Sequence, residues 1–235
     1  DFQPSRDTLH INTTLAHELA HEWWGNQITG HDYCDMWMHE GMATFSEAMV
    51  ISELYDPEYY DYYIRWLSRN IDNERPLLKT CGVRYNSWVS YKDADIYNKG
   101  ALLMHTVRRQ MDDDSLFLEL LRNALLAFDR KNVTTETFVQ FMDEQTNQDL
   151  QSLFNLYLRH VKPPIFQYRY DSIQGELKYK WSEPLKTDFS FRVDMRMDDQ
   201  VSSLYPESSY QSVKVDQRPK FDVADFGYVL IEALE

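Results

Sequence analysis

The sequence has little of what would place it in several large classes of protein. It has only two cysteines, Cys34 and Cys81, in 235 residues, which is too few for a disulfide framework. No apolar run approaches the ~18 residues that a membrane-spanning helix needs. Lys and Arg number 24 against 38 Asp and Glu, a net charge of −14, whereas a nucleic-acid-binding surface needs the opposite balance. We therefore expect neither a membrane span nor a nucleic-acid partner.

Several other features are missing from the sequence. The first residues, Asp1 to Pro4, do not resemble a signal peptide, and we find no internal repeat and no low-complexity segment. The two cysteines could form one bridge or remain two buried thiols, and the sequence leaves both possibilities open. The first candidate catalytic residue stands only seventeen residues into the chain. We therefore expect the chain to begin inside a domain whose upstream part is missing.

Helical periodicity dominates the first two thirds of the chain. In the first helix Leu15, Leu19 and Trp23 recur at helical spacing, and Gly25 offers a stop. Residues 70–94, with Pro76 among them, read as irregular. We predict helices over residues 13–25, 40–55, 59–69, 96–111, 116–128, 134–145 and 149–160.

After Pro163-Pro164 the sequence period changes from helical to alternating. Residues 166–170 and 177–181 alternate, with Gln174-Gly175 between them as a hairpin turn. Further strands are predicted at residues 189–193, 213–215 and 228–231. We place a domain boundary near Lys162. The sequence thus predicts an α+β chain, with a helical region over 1–162 and a small antiparallel β domain over 163–235.

The motif that carries chemistry is His-Glu-Leu-Ala-His at residues 17–21. On a helix, positions i and i+4 differ by about 40° in azimuth and about 6 Å in rise, so His17 and His21 can converge on one metal ion. Glu18 lies about 100° round from His17, which suits a carboxylate that accepts a proton from water activated by the metal. Such a short pattern also recurs by chance, and two surface histidines with an ordinary helix glutamate are the alternative interpretation.

A more distant glutamate favours the metal-site interpretation. Glu40 stands nineteen residues after His21, and two His with one Glu form a known catalytic zinc set with the fourth position left to water. Glu47 follows two helical turns later, either as a hydrogen-bond partner behind a zinc-ligating histidine or as an exposed helix charge. His39 adjoins Glu40 and therefore faces another side of the helix. Cys34 is interpreted as a buried thiol, because the metal set is already complete. The other histidines are interpreted as structural or surface residues: His10, His31, His105 and His160.

Three segments resemble a known family. Residues 17–26, HELAHEWWGN, resemble the zinc helix of the aminopeptidase N-like metallopeptidases, which are gluzincins, and the HExxH-x18-E spacing matches as well. Residues 37–45 resemble that family's W-L-N-E-G-F-A-x-[YF] segment, although His39 replaces the common Asn and Met42 the usual Phe. Residues 97–101, YNKGA, are similar to its Y-x-K-G-[AF] segment.

The resemblance implies a fold, a cofactor and an activity. It implies a mainly helical, thermolysin-like zinc-peptidase region followed by a small antiparallel β-sandwich. One Zn²⁺ would be bound by His17, His21 and Glu40, with Glu18 as the general base. Tyr97 would donate a hydrogen bond to the tetrahedral intermediate. The expected function is removal of N-terminal residues from peptides. Similarity to short bacterial members implies an extracytoplasmic location, in the periplasm or cell envelope.

One family segment is missing from the chain. The G-x-M-E-N segment, which anchors the free amino group of the substrate, would precede Asp1, in an N-terminal domain that completes the cleft. The aminopeptidase specificity of the family therefore cannot be read from these residues. Two alternatives stay open, namely an endopeptidase or other hydrolase on the same scaffold, and a non-catalytic relative that keeps the fold. We expect the isolated 235 residues to be weakly active or inactive.

Overall fold

The computed structural model describes residues 11–82, 94–146, 148–182 and 190–234. Its first part is helical and its last part is mostly strand. The helices are α1 (Thr13–Ala20), α2 (Trp37–Leu54), α3 (Pro57–Arg69), α4 (Asp95–Met111), α5 (Asp114–Ala127), α6 (Thr135–Glu144), α7 (Leu150–Leu158) and α8 (Val223–Phe226). The strands are β1 (Ile28–Gly30), β2 (Lys131–Val133), β3 (Ile165–Asp171), β4 (Glu176–Trp181), β5 (Val193–Met197), β6 (Gln200–Leu204), β7 (Gln211–Lys214) and β8 (Leu230–Ala233).

Helix α1 is shorter than predicted, and the expected end at Gly25 is wrong. The helix ends at Ala20, and the amides of residues 26–28 then bond to carbonyls five residues back. Gly25 adopts φ +143°, a conformation that favours glycine, so it turns the chain toward β1 rather than ending a helix. Leu15, Leu19 and Trp23 share a helical spacing, but their side chains are 66%, 57% and 45% exposed. This apolar face of α1 is therefore not directed into the core of the described residues.

The remaining predicted helices are present with small shifts in their ends. Helix α2 begins at Trp37, three residues before its predicted start. Thr134 and Asp149, the first residues of two predicted helices, are the N-caps of α6 and α7, and their side chains accept hydrogen bonds from the amides of Thr137 and Ser152 respectively. Part of the segment predicted to be irregular, residues 83–93, lies outside the described residues. None of the described helices is long and apolar enough to cross a membrane.

Helices α2 and α4 cross in backbone contact at two glycines. A Cβ atom on Gly41 would lie 2.7 Å from the Cα atom of Gly100, and one on Gly100 would lie 2.8 Å from the Cα atom of Gly41. Because neither residue has a side chain, the two backbones can touch. Glu40 directly precedes the first glycine, and Tyr97 lies one turn before the second. The crossing therefore brings the two family segments, residues 37–45 and 97–101, together.

A short parallel pair of strands was not predicted. Residues Ile28–Gly30 pair with Lys131–Val133, and the amide of Arg130 bonds to the Gln27 carbonyl at 2.7 Å beside them. Three residues are too few for an alternating pattern to be recognised in a sequence. The pair fixes the segment that follows the zinc-motif helix against the start of α6.

The last part of the chain forms a four-stranded sheet of order β7-β4-β3-β8 and a separate hairpin of β5 with β6. The predicted hairpin is confirmed, with Tyr168 opposite Tyr179 in antiparallel register. The predicted antiparallel pairing is present between β3 and β4, β4 and β7, and β5 and β6, whereas β8 returns to lie parallel to β3. The strand expected over 189–193 begins only at Val193, and residue 189 lies outside the described residues.

The strand-rich part packs tightly on the helices. The Tyr157 hydroxyl donates to the Tyr228 carbonyl at 2.6 Å, and His105 Nε2 donates to the Val223 carbonyl at 2.9 Å. His105 is fully buried, and burial with the nearby arginine charges lowers its pKa to about 3. It is therefore neutral, and its Nδ1 accepts from the Tyr60 hydroxyl at 2.8 Å. One hydrophobic core runs through both parts.

The two cysteines are joined. Cys34, in the 3-10 turn Tyr33–Asp35 just before α2, forms a disulfide with Cys81, 47 residues later. Of the two possibilities that the sequence left open, the structure has the bridge, so Cys34 is buried but is not a thiol. The Asp32 carboxylate accepts hydrogen bonds from the amides of Tyr33 and Gly82, which ties the same two segments a second time.

Candidate metal centre

Helices α1 and α2 bring three potential ligands to one point. His17 Nε2 lies 3.3 Å from Glu40 Oε2, and His21 Nε2 lies 3.5 Å from the same oxygen. The candidate ligand atoms of these three residues all lie within 4.8 Å of one another. The residues that the sequence singled out as metal ligands are thus adjacent in the fold.

His21 keeps its place relative to His17 although α1 ends before it. As the C-cap of α1 it has φ −64° and ψ −16°, so the backbone stays helical through this residue. The two imidazole rings lie 4.8 Å apart and are nearly perpendicular, at 88°. The i, i+4 relation on which the motif depends is therefore preserved.

Hydrogen bonds on the far side of each ring fix the orientation of both histidines. His17 Nδ1 donates to Glu47 Oε1 at 2.9 Å, and His21 Nδ1 donates to the Trp24 carbonyl at 3.0 Å. Both partners are acceptors, so each Nδ1 carries a proton and each Nε2 is the nitrogen that can bind a cation. Glu47 is 7% exposed, and its carboxylate is used here rather than lying in solvent as a helix charge.

The charges at the site favour a cation. Burial by itself lowers the pKa of His17, but hydrogen bonds to Glu40 and Glu47 and their negative charges outweigh it and raise the pKa to about 9. The two carboxylates therefore hold positive charge at this point. A divalent cation supplies that charge directly, and its binding displaces the proton from Nε2.

The donor set fits zinc. Two imidazole nitrogens and one carboxylate oxygen form a catalytic zinc set, and imidazole and carboxylate both suit its borderline character. A second group of donor atoms, Asp32 with Cys34 and Cys81, lies within the same distance limit. Both of its sulfurs are in the disulfide, which leaves a single carboxylate there. The His17, His21 and Glu40 group is therefore the better metal site of the two.

The two predicted catalytic residues lie beside this group. Tyr97 stacks on His17, with ring centroids 5.9 Å apart and planes at 28°. Glu18 follows His17 on α1, and its side chain is exposed. The Tyr97 ring is thus held against a candidate ligand, whereas the Glu18 side chain is accessible to solvent.

His39 is not part of the group of converging ligand atoms. Its Nε2 accepts the Gly30 amide at 2.7 Å, and burial lowers its pKa. It therefore fastens α2 to strand β1. The sequence predicted that His39 is not a ligand, because it adjoins Glu40 on the helix, but nothing in the sequence indicated the bond to Gly30.

One residue near the site was missed altogether. The hydroxyl of Tyr63, on α3, donates to Glu47 Oε2 at 2.9 Å. Tyr63 stands in an aromatic-rich helix, and the sequence gives no sign of which tyrosine faces α2.

Comparison with known proteins identifies the family of this chain. The model of the peptidase family M1 domain matches residues 1–157. The chain belongs to peptidase family M1. Leukotriene A-4 hydrolase of Xenopus laevis is 22% identical over 201 residues, which are 78% of this chain and 33% of that protein.

Solved structures of this family share the fold. Aminopeptidase A of Legionella pneumophila, solved in complex with aspartic acid, superposes with a TM-score of 0.71 at 19% identity, over 94% of this chain and 26% of that one. An M1 zinc metallopeptidase of Deinococcus radiodurans gives a TM-score of 0.54 at 25% identity, over 66% of this chain and 34% of that one. The M1 chain described here thus spans about a third or less of the length of these relatives.

Proposed function

We propose that this chain carries the metal centre of a zinc-dependent peptidase that removes N-terminal residues from peptides. The observation that carries the proposal is the convergence of His17, His21 and Glu40, whose ligand atoms lie within 4.8 Å of one another. Zinc bound there would supply Lewis-acid polarisation of the scissile carbonyl and activation of water. Family membership supports the same reaction class.

Glu18 and Tyr97, beside the proposed ligands, have separate roles in the proposed reaction, namely proton transfer and stabilisation of the oxyanion. Glu18 accepts a proton from the attacking water and later delivers it to the leaving amine. Tyr97 donates a hydrogen bond to the oxyanion as it forms, where a preorganised donor has its largest effect. Its ring stacks on that of His17, which supports this role because it places Tyr97 next to a proposed zinc ligand.

Specificity for a free N-terminus requires a further element. We propose that an upstream domain completes the cleft and anchors the substrate amine. The exposed apolar face of α1, with Leu15 at 66% and Leu19 at 57% exposed, supports a neighbour on this side of the motif. Hydrolysis of peptides with free and with blocked N-termini by the complete protein would distinguish an aminopeptidase from an endopeptidase.

The location and the last domain are also proposals. We propose an extracytoplasmic location, which the Cys34–Cys81 disulfide supports because structural disulfides are rare in reducing compartments. The segment after Lys162 is proposed to form the small β-sandwich domain of the family. Its four-stranded sheet and separate hairpin support that assignment.

Replacing Glu40 by glutamine tests the metal centre directly. We expect about one zinc per chain in the native protein and markedly less in Glu40→Gln, because the amide cannot supply the negative charge. The measurement is elemental analysis after purification without chelators. Glu53→Gln, an exposed position on the same helix, is the matched control. Unchanged zinc in Glu40→Gln would remove Glu40 from the ligand set, and a native chain without zinc would contradict a preformed site.

Replacing Tyr97 by phenylalanine tests the oxyanion donor. We expect kcat of the complete protein to fall by roughly 10²–10³-fold, the effect typical of losing one oxyanion donor. Zinc content should stay at the native level, because Tyr97 contacts His17 through its ring, which phenylalanine retains. Steady-state kinetics on a peptide substrate measures the effect. A native kcat in the variant would exclude Tyr97 from the mechanism.

A further inference from the structure

The Glu47 carboxylate is held at both of its oxygens. Oε1 accepts from His17 Nδ1 at 2.9 Å, and Oε2 accepts from the Tyr63 hydroxyl at 2.9 Å. Glu47 is 7% exposed and Tyr63 is 4% exposed, so solvent supplies little to either group. A hydrogen-bonded series therefore runs from α3 through α2 to the candidate zinc ligand on α1.

We propose that Tyr63 is a positioning residue of the metal centre, acting on His17 through Glu47. The inference rests on the proposed function, because it concerns the same zinc site. An ionised carboxylate is an acceptor only, so Tyr63 must donate to it and His17 must present a protonated Nδ1. This arrangement leaves His17 Nε2 as the nitrogen directed toward Glu40 and available to the metal.

Without the tyrosine hydroxyl the carboxylate would lose one of its two anchors. The terminal torsion of a glutamate side chain has a broad energy minimum, so a single hydrogen bond fixes its plane poorly. Oε2 would also be left buried without this donor, which favours rotation of the group toward other partners. Either movement weakens the bond that orients His17, although no zinc ligand has been altered.

The tyrosine itself is firmly placed. Its ring stacks on Trp66 with centroids 5.8 Å apart and planes at 19°. Tyr60 lies one turn earlier on the same helix and is similarly buried, at 3% exposed, but its hydroxyl bonds to His105. The helix thus offers two buried tyrosine hydroxyls, of which Tyr63 contacts Glu47, whereas Tyr60 contacts a residue away from the metal centre.

The test compares Tyr63→Phe with Tyr60→Phe. Each variant removes one buried hydroxyl from α3, so a loss of general stability should affect both. We expect zinc affinity, measured by competition with a chromophoric chelator, to fall about 10-fold in Tyr63→Phe, at the low end of the 10–100-fold range for residues that contact ligands. Tyr60→Phe should stay within about 2-fold of the native affinity. The visible absorption spectrum of the Co²⁺-substituted chain should change in Tyr63→Phe alone.

A double-mutant cycle identifies the route of the effect. If Tyr63 acts through Glu47, Tyr63→Phe should weaken zinc binding in the native background and add nothing further in Glu47→Gln. An equal loss in both backgrounds, or equal losses in Tyr63→Phe and Tyr60→Phe, would overturn the proposal. If the native chain binds zinc and Tyr63→Phe binds it with the same affinity, this inference alone is overturned. A native chain without zinc would overturn the proposed function and this inference together.

Discussion

Glu18→Gln is expected to reduce peptide hydrolysis by about 10²–10⁴-fold, the range that general acid–base catalysis contributes. Glutamine keeps the size of the side chain and loses the basic oxygen that accepts the proton. Zinc should remain bound, because the three residues with converging ligand atoms are His17, His21 and Glu40. Loss of activity with retained zinc separates the catalytic role of Glu18 from any structural role.

The measurement combines kcat of the complete protein with zinc content of the same preparation. Glu22→Gln is the matched control, because this exposed glutamate lies four residues later in the same segment and bonds to Asn26. It should leave kcat within a few-fold of the native value. A Glu18→Gln variant that loses zinc would show that Glu18 is not the base, and one with native kcat would contradict the mechanism altogether.

The parts of the site that the sequence predicted depend on local geometry. His17 and His21 are four residues apart, and a helical backbone places them on one face regardless of the rest of the fold. The assignment of Glu40 as a ligand was supported by the HExxH-x18-E spacing of the family. Local periodicity could not supply it, because the distance of Glu40 from the histidines depends on how α2 packs against α1. The end of α1 was misjudged for the same reason, since the turns after Ala20 depend on burial of Trp24 and on the start of β1.

The contacts that the sequence could not predict join distant segments. Tyr63 reaches Glu47 from another helix, Cys81 reaches Cys34 from a loop, and β2 reaches β1 from 103 residues away. Periodicity shows which face of an element is apolar, but it does not show which element covers that face. The parallel pairing of β8 with β3 could not be predicted either, because the sequence of a short apolar strand does not show whether it pairs parallel or antiparallel with its neighbour.

Gly41→Ala is expected to destabilise the chain and to weaken zinc binding together. Its Cβ atom would lie 2.7 Å from Gly100 Cα, 2.9 Å from Gly100 C and 3.1 Å from the Ile96 carbonyl oxygen. All three are backbone atoms of α4, so no side chain can rotate away, and the two helices must separate. Overpacking of this kind costs typically about 1–3 kcal/mol, and the higher helix propensity of alanine offsets at most about 1 kcal/mol of it.

The functional consequence follows from the position of Glu40, which directly precedes Gly41. A shift of α2 moves its carboxylate relative to His17 and His21, whose Nε2 atoms now lie 3.3 Å and 3.5 Å from it. We expect a lowered Tm in thermal unfolding and reduced zinc affinity in the same variant, whereas Glu53→Ala on the exposed face of α2 should change neither by much. Native Tm and native zinc affinity in Gly41→Ala would show that the crossing of α2 and α4 does not set the ligand geometry. A lowered Tm with native zinc affinity would confine the role of the glycine contact to stability.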